Sequence, residues 1–92
     1  MLFMITWRGT PATRDTAIQR FLKGGGQPPA GVKMLGRWHA IGPIHGVAIA
    51  EADDAALLQK WALDWTDVFE MNVHPALDDE HMGPLLAAHA TR

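Results

Sequence analysis

The chain predicts an α+β fold of the ferredoxin-like kind: β-α-β-β-α-β, a four-stranded antiparallel sheet with two helices on one face, followed by a C-terminal helical tail. Three observations carry this. Four short segments are rich in apolar and β-forming residues, two segments between them show helical stripes, and Gly42-Pro43 stands where a hairpin must turn. Two right-handed β-α-β units joined in that order interleave into one sheet.

Leu2 to Trp7 forms the first strand, with no breaker inside it. Thr10 then reads as an N-cap with Pro11 at the first helical position, and the helix runs towards Lys23 on the stripe Ala17, Ile18, Phe21 and Leu22. The stretch GGGQPPAG ends it, with Gly24 suited to the left-handed cap position. Because Gly24–Gly26 follow a helix rather than open one, they are not a phosphate loop. Val32 to Ala40 and His45 to Glu51 form a hairpin. Asp53 is placed to cap the second helix, whose stripe is Leu57, Leu58, Trp61 and Trp65. Val68 to His74 makes the last strand, stopped by Pro75. Acidic Asp78, Asp79 and Glu80 open the tail helix, which Gly83-Pro84 is expected to interrupt.

Composition narrows the function classes. Ninety-two residues, 48% of them apolar, suit one compact domain, read as residues 1–76 with a helical tail over 77–92. There is no cysteine, which removes thiolate nucleophiles and zinc-thiolate sites and fits a reducing, cytoplasmic setting. A net charge of −2 without a basic stripe argues against a nucleic-acid partner. The apolar start, MLFMITWRG, is too short for a membrane span and lacks the build of a signal peptide, so no membrane partner is expected. No motif calls for a cofactor or a metal.

His39 and His45 flank the Gly-Pro turn, and register decides whether they meet. An even-length turn sets Ala40 against His45 and Trp38 against Val47, and an odd one sets His39 against His45. Gathering Trp38, Val47 and Ile49 on one face requires the even turn, which separates the two histidines and rules them out as a metal pair. On the assumption that these large residues face the helices, the opposite, open face collects Leu2, Met4, Arg8, Leu35, Arg37, His39, Val68, Glu70, Asn72 and His74. Gly46, Ala48 and Ala50 would floor it. Leu2, Met4, Leu35 and Val68 are too apolar to stay wet, and they suggest a homodimer interface. His39 and His74 are candidate general bases, and Arg8, Arg37, Glu70 and Asn72 are candidate ligand contacts.

The stretches GVKMLGRWH, AEADDAALLQKW and VFEMNVHPAL, through Gly31, Val32, Lys33, Gly36, Trp38, Glu51, Asp53, Asp54, Leu57, Leu58 and Trp61, resemble a small bacterial family known only as a domain of unknown function. The resemblance runs from Met1 to about Pro75. That family is in turn similar to the dimeric α/β-barrel superfamily, whose protomers pair sheet to sheet and which holds monooxygenases, dehydratases, haem-degrading enzymes and non-catalytic members. The resemblance implies the fold and a dimer, and no catalytic motif of any one branch. Two functions follow as expectations: a dimeric protein that binds or transforms a small organic molecule in a pocket on the open face, or a non-catalytic dimeric interaction module.

Overall fold

The computed structural model describes residues 1–92. Strands β1 (Leu2–Arg8), β2 (Lys33–His39), β3 (His45–Glu51) and β4 (Glu70–Ala76) form one antiparallel sheet in the order β2-β3-β1-β4. Helices α1 (Arg14–Gly24) and α2 (Ala55–Leu63) cross between strands, and α3 (Asp79–Ala90) follows the sheet. This is the ferredoxin-like α+β fold with its C-terminal helix.

Local chemistry sets the element ends. Thr10 and Thr13 close a turn through side chain and backbone, so α1 starts at Arg14 rather than at Pro11. Gly25, not Gly24, takes the left-handed position at φ 69°, and its N–H donates to the Phe21 carbonyl at 2.6 Å. Asp54, not Asp53, caps α2, its carboxylate accepting from the Ala56 N–H at 2.9 Å. β4 lies two residues later than the composition suggests and runs through Pro75. It is an edge strand and uses only one of its hydrogen-bonding sides, which lets a proline in. α3 likewise continues through Gly83-Pro84 without a break.

The core is Phe3 and Ile5 of β1, Val32 just before β2, Ala48 and Ala50 of β3, Ala52 just after it, and Leu58 and Trp61 of α2. Register shows which face each strand offers the helices. Phe3 opposes Ala50, Ile5 opposes Ala48 and Trp7 opposes Gly46, so the small residues of β3 face the helices and Val47 and Ile49 face outwards. Large and small residues interdigitate there: a Cβ added to Gly46 would lie 2.5 Å from the Trp7 indole.

The hairpin has the even register. Trp38 opposes Val47, the Ala40 N–H donates to the His45 carbonyl at 2.9 Å, and His39 opposes Gly46. The faces are the reverse of the expected ones. Trp38 and Val47 share the open face, and Arg37 and His39 are on the helix side. A bulge between Met34 and Gly36 shifts the alternation partway along β2, so Met34 faces the helices while Trp38, an even number of residues on, does not. Val68 is no part of the open face either. It precedes β4 and is buried at 6% exposure, donating its N–H to the Trp65 carbonyl.

A cavity between the sheet and the helices

Helix α1 does not close down on the sheet: Ala17 is its one buried residue, and Leu22 is 72% exposed. Between α1, α2 and the sheet lies a cavity of about 310 Å³. Its floor is Ile5, Trp7, Ala48, Met71 and Val73, and its roof is Ala17, Ile18 and Phe21 of α1 with Trp61 and Ala62 of α2. Trp65 and Phe69, stacked at 5.7 Å, form one wall, and Phe69 and Ile44 come together at Gly9. Arg37, His39, Pro43 and His45 complete the lining at the mouth, where His39 is exposed.

Two arginines hold the roof open at a fixed height. Arg37 reaches from β2 beneath the end of α1 and donates to the carbonyls of Gly25 and Gly26, both at 2.9 Å, with its guanidinium 4.8 Å from the centre of the Phe21 ring. Arg20 of α1 grips the link between α2 and β4. It donates to the two Asp67 carboxylate oxygens at 2.6 and 2.7 Å and to the Asp64 carbonyl at 2.7 Å, and its guanidinium lies over Trp65. The hydrogen bond from Arg20 pulls the Asp67 carboxyl below its ordinary value and raises Arg20 in turn.

His39 is the polar group at the mouth with nothing to do in the fold. Its ring meets Trp7 and Phe21 edge-on, each at 5.7 Å, and neither ring nitrogen has a hydrogen-bond partner. Such a nitrogen can accept from, donate to or exchange a proton with a molecule in the cavity.

The other residues singled out in the sequence fall into separate groups. Arg37 is committed to the Gly25 and Gly26 carbonyls, on the opposite side of the sheet from Arg8, Glu70 and Asn72. Those three do share the open face. Arg8 opposes Glu70 and Thr6 opposes Asn72, along a groove of about 790 Å³ that also takes in Trp38, His39, His45 and Val47. His74 opposes Met4 further along that face. Leu2, Met4 and Leu35 lie on it too, Met4 39% and Leu35 48% exposed, joined by Val47, Ile49 and an exposed Trp38. His39 and His45 point to opposite faces, and nowhere do three or more His, Asp or Glu side chains gather as a metal would need. No helix is long and apolar enough to cross a membrane. The cavity walls Phe21, Trp65 and Phe69 were legible only as helix stripe and strand. What marks them as a site is the distance α1 keeps from the sheet, which no periodicity encodes.

Fold and site together define a small ferredoxin-like α+β protein with an apolar cavity under its helices. The chain belongs to the family described as Domain of unknown function (DUF3303), whose model matches residues 1–90 and so takes in α3 as well as the sheet. Comparison with curated proteins finds no match. Among solved structures, SCO4226 from Streptomyces coelicolor A3(2) is similar at 18% identity and a TM-score of 0.52, over 85% of this chain and 99% of that one, a likeness of fold. A Deinococcus radiodurans protein provisionally described as an antibiotic biosynthesis monooxygenase aligns at 10% identity and a TM-score of 0.43, over 85% of this chain and 94% of that one.

Proposed function

We propose that this protein binds a small, flat, largely apolar organic molecule in the cavity between sheet and helices, with His39 as the group that recognises or deprotonates it. The observation that carries the reading is the cavity's make-up. Protein cores seldom leave voids larger than a water, and this one is walled by aromatic rings with one unpartnered imidazole at its mouth. An apolar cavity of about 150 Å³ accommodates benzene, so 310 Å³ suits a molecule of roughly two fused rings. A phenolic hydroxyl on such a molecule would meet the His39 ring nitrogen.

The test uses a naphthol as probe and tryptophan emission as readout. Ile18 lines the roof at 39% exposure and lies outside the core cluster, so Ile18→Phe pushes a larger side chain into the cavity without displacing a core residue. Wild type should bind the naphthol, Ile18→Phe should lose binding while remaining folded, and His39→Ala should bind more weakly. Equal affinity in wild type and Ile18→Phe would place any binding elsewhere.

A second observation favours assembly. Met4, Leu35 and Trp38 leave the open face apolar and wet, and apolar patches of this kind mark partner surfaces. The protein is accordingly read as a homodimer joined through that face, with Arg8 and Glu70 at the rim. Sedimentation at micromolar concentration tests this: a dimer is expected, and a monomer would contradict it.

A further inference from the structure

Helix α3 has no support from its own chain. Every residue from Asp79 to Ala90 is exposed, and no Cα of the helix lies within 8 Å of another strand or helix. Between His81 and Thr91 it carries no Asp, Glu, Lys or Arg. Met82, Leu85 and Leu86 stand on one side at helical spacing, 38%, 58% and 60% exposed. A helix this short is marginal in water even with ideal residues. This one has Gly83 and Pro84 near its middle, where proline removes a backbone donor and crowds the preceding turn. The Asp78 carboxylate, accepting from the His81 N–H at 2.9 Å, secures only its start. Such a helix needs a surface to lie on.

The chain's dimensions say whose surface. Two residues, Leu77 and Asp78, separate β4 from α3, and the Asp78 cap sets the direction of departure. The helix leaves the sheet rather than folding back over it, and the molecule is 52 Å long against 29 and 18 Å in its other directions. A globular chain of 10.1 kDa exposes about 5,300 Å², whereas this one exposes 6440 Å². The excess of roughly 1,100 Å² exceeds the ~800 Å² that each partner contributes to a standard interface. Each copy thus has both an uncovered helix and an uncovered sheet face. At the β2 edge of that face, the bulge sets Leu35 and Gly36 together against Ile49 and leaves Leu35 and Trp38 as exposed apolar groups. A bulged edge is poorly suited to strand addition, and a helix can cover it.

We infer that α3 is an exchanged arm whose partner is a second copy of this chain. In the homodimer, Met82, Leu85 and Leu86 of each protomer lie on Leu35 and Trp38 of the other. The two exchanges form together around one twofold axis, while the central strands pack sheet to sheet. This rests on the sheet-face homodimer proposed above.

Full-length variants separate the two ideas. Leu85→Asp with Leu86→Asp should raise the dimer dissociation constant about a hundredfold or more in sedimentation equilibrium. The core tryptophan emission should not change, because α3 touches no core residue. Ile49→Asp should disrupt the sheet packing independently. If Ile49→Asp dissociates the dimer and the α3 double variant does not, the arm is refuted and the sheet-face dimer stands. A monomeric wild type refutes both. The chain has no cysteine, so a mixture of Leu86→Cys and Leu35→Cys chains reports the contact directly. A disulfide-linked heterodimer is expected, and no linkage between chains that still dimerise overturns the arm.

Discussion

Arg37 shows how one side chain shapes the cavity through the backbone. Its guanidinium satisfies two carbonyls in the glycine loop after α1 and lies over Phe21, so it fixes both the end of the helix and one wall ring. Arg37→Ala should cost about 1–3 kcal/mol in urea unfolding, and Arg37→Lys should recover only part of that, because an ammonium cannot fork between two carbonyls. Equal stability of wild type and Arg37→Ala would contradict the clasp. The Arg20–Asp67 pair makes a pH prediction. Asp67 is held below its ordinary carboxyl value by Arg20, so the stabilisation is complete above the unfolded value of about 3.9 and is lost as pH falls through the lower folded value. Urea midpoints of wild type and Asp67→Asn should differ at pH 7 and converge in acid, and parallel profiles at all pH values would contradict the pairing. At this scale the sequence was half legible. The separation of His39 from His45 follows from turn parity, but neither the side each takes nor the commitment of Arg37 can be read from spacing.

Among the elements, α2 and β3 do most to define the interior. Trp61 sits at the centre of the α2 stripe at 8% exposure, and Trp61→Ala should cost about 3–5 kcal/mol. A loss under about 1 kcal/mol would mean that the stripe does not hold the core. Strand β3 reverses the expectation that large apolar residues face the helices. The physical reason for the reverse is volume: Phe3, Ile5 and Trp7 on β1 already fill the space, so their neighbours on β3 must be Ala50, Ala48 and Gly46. Gly46→Ala, whose Cβ would meet both the Trp38 carbonyl and the Trp7 ring, should cost about 1–3 kcal/mol. The bulge at Leu35 adds to the reversal, since one extra residue inverts every later side chain and leaves no mark in composition. The element order was legible throughout because each boundary has a local cause: a cap, a positive-φ glycine or a short turn.

For the whole molecule, the sheet separates two kinds of surface. On one side an apolar cavity sits under helices held by Arg20 and Arg37, and on the other lies a wet apolar face, while α3 stands clear of every other element. Sequence alone indicated a surplus of apolar surface and a pocket on the open face, where a groove does lie, but not the cavity under α1, since the height of α1 above the sheet is a tertiary property. The four tryptophans mark the two sides: Trp61 and Trp65 line the cavity, with Trp7 on its floor, and Trp38 stands on the open face. The most direct test is a nuclear magnetic resonance titration of the indole N–H signals with a naphthol. The Trp61 and Trp65 signals should shift and saturate together while Trp38 stays in place. Movement of Trp38 alone, with Trp61 and Trp65 unchanged, would contradict the cavity as the ligand site.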